Sequence, residues 1–242
     1  MRIIQLTDLH VGEEGAQSFG VDVRANFLKI LQAAKALQPD RLVITGDLCL
    51  HTGVTVIYQW LKEHLDDSGI PYDVISGNHD DPALMAEVFD VQQSLRQGEL
   101  YFNRECAGRT VLFLDTTVAS MSEKQLEWLR RQLSLMQDDA VIFMHHPPML
   151  ANMPWMDSKY PFRLTDAFQE ICFAHPYPIN VFCGHYHIEK TVQQHNLTMH
   201  ITPSCYFQID PHALEFKIDH YQIALREIEI EGASLRHSVH YF

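Results

Sequence analysis

Positive charge and paired cysteines are both scarce in this sequence of 242 residues. Lys and Arg total 18 against 31 Asp and Glu, which gives a formal net charge of −13. Nucleic-acid binding requires a basic surface, which this chain lacks overall, and the same balance argues against binding to an anionic membrane. The cysteines lie far apart without a C-x-x-C pair, at Cys49, Cys106, Cys172, Cys183 and Cys205. We therefore expect neither a disulfide framework nor a thiolate zinc site.

Targeting segments and linkers are also missing from the sequence. No apolar run approaches the ~18 residues needed to span a bilayer. Residues 2–7 are typical of a first β-strand rather than of a secretory leader. No internal repeat and no tract rich in Pro, Gly or Ser divides the chain. We expect a cytoplasmic protein whose residues 1–242 form a single domain.

Histidine, in contrast, is abundant, with 15 residues in an acidic chain. Neutral imidazole is the commonest metal ligand in proteins, so this composition suggests a metal site before any motif is considered.

Short segments rich in Val and Ile alternate with amphipathic segments over the first three quarters of the chain. The pattern predicts strands at 2–7, 41–45, 72–76, 110–115, 140–144 and 179–182. It predicts helices at 23–37, 54–66, 82–97, 123–136 and 164–173, the fourth beginning at a capping box of Ser122 and Gln125. After His187 five further strands are predicted without a helix between them, at 190–195, 198–203, 206–210, 221–229 and 235–241. We expect an α/β fold with a mixed β-sandwich core, in which residues 190–242 form a mainly antiparallel second sheet.

Polar residues follow five of the predicted strands at the point where each strand ends. They are Asp8 and His10, Gly46-Asp47, Gly77-Asn78-His79-Asp80, His145-His146, and Gly184-His185-Tyr186-His187. In open α/β sheets ligands bind at the carboxyl ends of the strands, so these residues are expected to share one rim. Each motif alone has an ordinary explanation, such as a helix cap, a turn or a surface loop. Five strand ends carrying Asp, His and Asn together favour a metal site.

Seven of these side chains form a mixed oxygen and nitrogen donor set: Asp8, His10, Asp47, Asn78, His145, His185 and His187. Seven ligands are too many for one zinc ion and suit two ions, and a set without thiolates favours Fe, Mn or Zn. The reaction natural to such a pair is attack of a bridging hydroxide on the phosphorus of a phosphate ester.

The five motifs, in this order, resemble those of the calcineurin-like metallophosphoesterase superfamily. The resemblance covers residues 8–187 and implies a four-layer αββα sandwich of two mixed β-sheets flanked by helices. It also implies two metal-ligand sets that share Asp47: Asp8, His10, Asp47 and His187, and Asp47, Asn78, His145 and His185.

The resemblance also assigns roles to residues that do not bind metal. His79 would be the catalytic residue near the leaving-group oxygen, and Asp80 would orient it. His146 would lie behind the ligands. Contacts to substrate are implied for His10, Asn78, His79 and His187.

Within the superfamily the chain resembles the class III cyclic-nucleotide phosphodiesterases, the bacterial 3′,5′-cyclic AMP phosphodiesterase type. The similarity extends to Ser122–Leu129 and to Thr202-Pro203-Ser204-Cys205 with Gln208. The segment 47–51 lacks the Arg with which protein phosphatases bind a phosphate dianion, and this favours a diester substrate. The C-terminal segment 219–226 departs from the Pro-Gly-aromatic-Arg pattern common in that family.

The expected function is a dinuclear-metal phosphodiesterase that converts 3′,5′-cyclic AMP to 5′-AMP, with Fe and Mn as the metals and Zn as an alternative. Glycerophosphodiesters and 2′,3′-cyclic nucleotides are alternative substrates, because the substrate pocket would be formed by loops 11–20, 151–160 and 206–210. A nuclease and a non-catalytic binding scaffold are less favoured, since the charge is acidic and every motif position is intact. The expected partner is a small phosphodiester, with no nucleic acid and no membrane, and the C-terminal strands are a candidate edge for a homodimer.

Overall fold

Two mixed β-sheets lie face to face at the centre of the computed structural model, which describes residues 1–242. The strands are β1 (Arg2–Leu6), β2 (Arg41–Thr45), β3 (Tyr72–Ile75), β4 (Leu95–Arg96), β5 (Glu99–Leu100), β6 (Phe102–Cys106), β7 (Arg109–Phe113), β8 (Ala140–Phe143), β9 (Ile179–Cys183), β10 (Lys190–Gln194), β11 (Leu197–Ile201), β12 (Gln208–Ile209), β13 (Ile218–His220), β14 (Ala224–Glu231) and β15 (Ser234–Tyr241). The helices are α1 (Val23–Ala36), α2 (Thr55–Ser68), α3 (Pro82–Val88), α4 (Glu123–Leu135), α5 (Pro154–Lys159) and α6 (Thr165–Phe173).

Sheet A has the strand order β15-β14-β1-β2-β3, and sheet B has the order β10-β11-β9-β8-β7-β6. In sheet A, β1, β2 and β3 are parallel, and in sheet B, β7, β8 and β9 are parallel. Each sheet therefore directs several carboxyl ends to a single edge. None of the six helices is both long and apolar enough to cross a membrane.

Three hydrophobic cores separate four layers. Helices α1 and α2 pack on sheet A through residues such as Phe27 and Leu61. Helices α4 and α6 pack on sheet B through residues such as Leu129 and Phe168. A smaller core that includes Phe143 lies between the sheets. The predicted α/β fold, a four-layer αββα sandwich of two mixed sheets flanked by helices, is thereby confirmed.

The strands after His187 do not form a sheet of their own, and this corrects the expectation for residues 190–242. Strands β10 and β11 extend sheet B beside β9, whereas β14 and β15 extend sheet A beside β1. Ile228 of β14 lies opposite Ile3 and contributes to the core between the sheets. A strand pattern indicates extended backbone, but it does not indicate which of two open sheet edges the strand completes.

The predicted helix over 82–97 is also too long. Helix α3 ends at Val88, and Asp90 has a left-handed backbone with a φ of 59° that interrupts helical hydrogen bonding. The ribbon β4–β5 follows, closed by Gln97 and Gly98, both at positive φ. Sequence reasoning also missed β6, because its residues Phe102–Cys106 contain no Val or Ile.

The predicted start of the fourth helix is confirmed, but only half of the capping box forms. Ser122 Oγ accepts a hydrogen bond from the backbone N–H of Gln125 at 3.2 Å. Glu99 accepts the backbone N–H of Ser122 at 2.8 Å, which is the role expected for Gln125. Gln125 is buried and instead bonds the backbone of Asp115.

Candidate metal centre

The predicted site residues all lie on loops that follow the carboxyl ends of parallel strands. Asp8 and His10 follow β1, Asp47 follows β2, and Asn78 and His79 follow β3, so sheet A supplies these five. Sheet B supplies the others, with His145 after β8 and His185 and His187 after β9. The loops from both sheets meet at one edge of the molecule, and all the imidazole and carboxylate members except His79 are buried.

Left-handed backbone is concentrated in these loops. Positive φ angles occur at Asp8 (53°), His10 (46°), Asp47 (51°), His185 (67°) and His187 (49°). Such a conformation is unfavourable for residues other than Gly and persists only where the surroundings hold it. Hydrogen bonds between the loops do so: the N–H of Asp8 donates to the Gly46 carbonyl at 3.1 Å, and the N–H of His10 donates to the Asp47 carbonyl at 2.9 Å.

Three overlapping groups of side chains bring their donor atoms within 4.8 Å of one another: Asp8, His10 and His187; His10, Asp47 and His79; and Asp47, His145 and His185. The ring nitrogens His10 Nε2 and His187 Nε2 lie 3.2 Å apart. Asp47 Oδ2 lies 3.7 Å from His10 Nε2 and 3.3 Å from His145 Nε2, so this carboxylate connects the first and third groups. Oxygen and imidazole donors without thiolates fit Fe, Mn or Zn. The buried groups are consistent with a dinuclear metal site.

Asn78 joins the third group through its side-chain oxygen. Asn78 Oδ1 lies 3.2 Å from His145 Nε2, the nitrogen that faces Asp47. All seven side chains predicted as ligands are therefore brought together.

Three of the histidines are oriented by backbone carbonyl oxygens. His145 Nδ1 lies 2.8 Å from the Thr45 carbonyl oxygen, and His187 Nδ1 lies 2.9 Å from that of Phe207. His185 Nε2 lies 3.1 Å from the Tyr160 carbonyl oxygen. A carbonyl oxygen that accepts a hydrogen bond from one ring N–H leaves the other ring nitrogen with a free lone pair, which is the arrangement of a metal-binding imidazole.

Burial and neighbouring charges shift the pKa values of these groups. Burial lowers the pKa of His10 and of His185 to about 3. Burial would raise the pKa of Asp8, but the charge and hydrogen bond of His187 outweigh it and lower this pKa to about 2. Burial would lower the pKa of His145, but the Asp47 carboxylate outweighs it and raises this pKa to about 9. Ionised carboxylates and neutral imidazoles are the forms that bind cations, and His145 would release its proton when one binds.

His79 stands at the border between the donor groups and solvent. Its side chain is 32% exposed, and its Nε2 lies 4.0 Å from Asp47 Oδ2. The buried Nδ1 of the ring has no hydrogen-bond partner. The backbone N–H of His79 donates to Asp47 Oδ1 at 2.9 Å, which places the ring beside that carboxylate.

Asp80 does not orient His79, and this part of the prediction is wrong. Its carboxylate accepts hydrogen bonds from the N–H of Gly77 at 2.9 Å, the N–H of Leu48 at 3.1 Å and the Tyr58 hydroxyl at 3.0 Å. The turn closed by the Asp80 N–H and the Gly77 carbonyl directs this carboxylate into the protein, where it joins the loops after β2 and β3.

His146 is buried directly behind the donor groups. Its Nδ1 lies 3.1 Å from Thr116 Oγ1, and its ring centroid lies 4.1 Å from that of His185. It belongs to none of the three donor groups.

Two glycines allow the loops to approach so closely. A Cβ at Gly77 would collide with the backbone nitrogen and the carboxylate of Asp47. A Cβ at Gly184 would collide with the Thr7 side chain and the Asp8 carboxylate. Any larger residue at either position would displace a loop that carries donor atoms.

A cavity of about 470 Å³ opens over the donor groups. Six aromatic side chains form much of its wall: Phe19, Trp155, Tyr160, Tyr206, Phe207 and Phe216. No Lys or Arg lines this aromatic cavity. All three loops expected to form the substrate pocket contribute to this lining, whereas Phe216 was missed because no motif or regular pattern distinguishes its segment.

Comparisons with known proteins agree with this geometry. The sequence model of the family described as calcineurin-like phosphoesterase matches residues 1–189. A probable cyclic nucleotide phosphodiesterase from Fibrobacter succinogenes is 32% identical over 89% of this chain and 84% of its own length. The 3′,5′-cyclic adenosine monophosphate phosphodiesterase CpdA of Escherichia coli is 27% identical over 96% of this chain and 86% of its own length.

Solved structures show the same fold at lower sequence identity. A dimetal phosphatase from Danio rerio superposes with a TM-score of 0.70 at 13% identity, covering 94% of both chains. A purple acid phosphatase from yellow lupin superposes with a TM-score of 0.66 at 14% identity, covering 99% of this chain and 51% of that one.

Proposed function

Because this chain belongs to the calcineurin-like phosphoesterase family, we propose that it hydrolyses 3′,5′-cyclic AMP to 5′-AMP as a dinuclear-metal phosphodiesterase. The observation that carries the proposal is the position of three overlapping His and Asp donor groups at the floor of an aromatic cavity. The donor groups supply a place for the phosphate, and the cavity supplies a place for a base.

The proposed ligands are Asp8, His10, Asp47 and His187 for one ion, and Asp47, Asn78, His145 and His185 for the other. Fe and Mn are the proposed metals, with Zn as the alternative, because the donors are imidazole nitrogens and carboxylate or amide oxygens. Two bound cations would supply Lewis-acid activation of a water and would neutralise charge on the phosphate.

The side chains around the phosphate have separate proposed tasks. His10, Asn78, His79 and His187 all border the cavity and would contact the substrate. His79 is the most exposed of the three histidines and is the proposed catalytic residue, which would hold a proton near the leaving oxygen. Asp47 accepts the His79 backbone N–H and so keeps this ring beside the reacting atoms.

The cavity wall supports a substrate that carries a nucleobase. Phe19, Phe207 and Phe216 lie within 5.7 Å of one another, ring centroid to ring centroid, and Trp155 lies 5.3 Å from Phe216. Aromatic faces stack favourably on bases and tolerate any base identity. The relatives named above carry cyclic nucleotide phosphodiesterase activity in their names, which favours the same substrate class here.

A side-by-side kinetic comparison tests the substrate. The protein reconstituted with Mn²⁺ is assayed with 3′,5′-cyclic AMP, 2′,3′-cyclic AMP and glycerophosphocholine. We expect the highest kcat/KM for 3′,5′-cyclic AMP. A preference of about tenfold or more for either alternative would assign the site to that diester instead.

Two variants test the roles of the residues. Asp47→Asn should lose both bound metal and turnover, because this carboxylate connects two donor groups. His79→Ala should retain metal but lose about 10²–10⁴-fold in kcat, the usual contribution of a general acid. The exposed Asp67→Asn and the exposed His195→Asn, both outside the cavity, serve as matched controls for the loss of charge and of imidazole. Full activity of Asp47→Asn would contradict the mechanism.

A further inference from the structure

A second cavity of about 300 Å³ adjoins the metal centre. It shares Asn78, Tyr160 and His185 with the aromatic cavity. Its remaining lining comes from the loop after β7, from His146 after β8, from the end of α5 and from the segment between α5 and α6. No sequence motif includes its cationic residues Lys159 and Arg163, and the function proposed above uses neither.

The two cavities differ in charge. Lys159 and Arg163 line the second cavity, together with the hydroxyl-bearing Thr117, whereas the aromatic cavity contains neither Lys nor Arg. Neither cation forms an ion pair with a carboxylate, although many other Lys and Arg residues of this acidic chain do. Two cations without carboxylate partners in one concave site attract an anion.

Backbone contacts keep Arg163 at the second cavity. Its guanidinium donates to the Val118 carbonyl through Nη2, and its backbone N–H donates to the Ala119 carbonyl at 2.9 Å. The guanidinium has five N–H donors, so the others stay available to a ligand. Lys159 lies in the last turn of α5, directly before Tyr160, which borders both cavities.

We propose that the second cavity binds a further anionic group on one ester arm of a phosphodiester substrate, either a carboxylate or a phosphate. This inference rests on the proposed phosphodiesterase function and extends its substrate class. A cyclic nucleotide is compact and fills the metal centre and the aromatic cavity. An extended diester has a second arm, and Asn78 and His185 would lie between its scissile phosphate and the anion at the far end of that arm.

Two synthetic substrates of equal shape test the proposal. Both are p-nitrophenyl phosphodiesters, one with a 2-carboxyethyl arm and the other with a 3-methylbutyl arm, which differ in charge but not in the number of heavy atoms. We expect the Mn²⁺-loaded protein to favour the carboxylate arm by about five- to tenfold in kcat/KM, the scale of two partly exposed charge-assisted contacts. The preference should shrink as salt is raised.

Charge-removing and charge-keeping variants locate the effect. The double variant Lys159→Gln with Arg163→Gln should lose the preference and leave turnover of the 3-methylbutyl ester within about twofold of the parent. The double variant Lys159→Arg with Arg163→Lys should keep the preference. Lys124→Gln with Arg130→Gln, on the exposed face of α4, removes the same net charge outside the cavity lining and should also keep the preference.

The outcomes separate this subsite from the proposed function. Hydrolysis of both esters at equal kcat/KM would overturn the subsite and leave the phosphodiesterase intact, whereas no hydrolysis of either ester would overturn both. A second measurement, thermal unfolding, needs no turnover. For the chelator-treated parent, the Tm in pyrophosphate should be higher than the Tm in chloride of equal ionic strength. For the Gln double variant, the two Tm values should be equal. An equal Tm in both salts for the parent would also count against the subsite.

Discussion

The carboxylate of Asp80 joins two loops of the metal centre without facing it. It accepts hydrogen bonds from the backbone of Leu48 and Cys49 after β2, from Gly77 after β3 and from the Tyr58 hydroxyl of α2. Burial and the Asp47 charge raise the pKa of Asp80 to about 6. The loops that carry Asp47 and Asn78 are thereby held together by a group that touches neither substrate nor metal donors.

Replacing Asp80 should loosen both loops at once. Asp80→Asn retains one acceptor oxygen and turns an amide N–H₂ toward backbone donors, so the free energy of unfolding should fall by about 1–3 kcal/mol. Metal affinity should fall about 10–100-fold, the usual effect of losing a group that supports metal ligands. Urea unfolding and metal titration of the purified variant measure the two effects.

Tyr58→Phe is the matched control for that substitution. It removes one of the donors to Asp80 and should cost about 1 kcal/mol, with a much smaller loss of metal affinity. Equal effects of the two variants would show that the backbone contacts of Asp80 contribute little.

Individual site residues were predictable where their motifs follow strands. The seven donor positions could be predicted because each lies two to four residues past a strand of high β propensity. The role of Asp80 could not be predicted, because only the geometry of the turn determines the direction in which each of its side chains points. The left-handed backbone at Asp8 and His187 is likewise invisible in the residue types.

At the scale of elements, the aromatic cavity is enclosed by the short helix α5 and by the loops that precede α1, β12 and β13. Phe19 lies between β1 and α1, Trp155 on α5, Phe207 before β12, and Phe216 before β13. Phe19 is 58% exposed, and its ring contacts Phe207 at a centroid distance of 5.5 Å. An exposed aromatic ring at the mouth of a cavity adds contact area for a ligand while adding little to the folded core.

Phe19→Ala should therefore affect binding more than stability. The KM for 3′,5′-cyclic AMP should rise about five- to twentyfold, consistent with ~1–2 kcal/mol for one stacked base. The kcat and the Tm should stay close to those of the parent, because the ring contacts no donor group. Steady-state kinetics and thermal unfolding measure these quantities.

Val56→Ala on α2 removes another exposed apolar side chain outside the cavity, and its KM should match that of the parent. If KM rose equally in both variants, the effect of Phe19→Ala would come from the loss of exposed apolar surface in general and not from a contact in the cavity.

Elements were predictable where side-chain periodicity is strong. Helices α1 and α4 begin at the predicted residues because Asp22 and Ser122 are good N-caps. The short elements α5, β4, β5 and β13 could not be predicted, since two to six residues carry too little periodicity. Their positions depend on packing against the rest of the protein rather than on local preference.

At the scale of the whole molecule, buried neutral histidines link folding to pH. Burial lowers the pKa of His10, His185 and His200 to about 3 in the absence of metal, whereas the unfolded chain takes up these protons near pH 6.5. The unfolded state then binds more protons than the native state at pH 5. Burial also lowers the pKa of His146, which adds to this difference. Asp80, with a pKa of about 6 in the folded protein, and His145, with a pKa of about 9, have the opposite sign and offset part of it.

The chelator-treated protein should therefore lose stability as the pH falls from 6.5 to 5. A net difference of about two protons gives a slope of ~2–3 kcal/mol per pH unit. His200→Gln removes one of these protons far from the donor groups and should give a shallower slope. Urea unfolding in EDTA at several pH values measures the slope, and a free energy of unfolding that does not change over this range would contradict the linkage.

The pairing of β1 with β14 has a consequence for synthesis of the chain on the ribosome. Ile3 lies opposite Ile228, so β1 leaves the ribosome long before its partner exists. At about 5–20 residues per second, the open edge of β1 would wait roughly 10–45 s for β14. An unpaired strand edge is a template for pairing with other chains. The yield of native protein would therefore depend on chaperone protection during this interval. Metal loading needs loops from both sheets, so it would follow synthesis of the loop after β9, which carries His185 and His187.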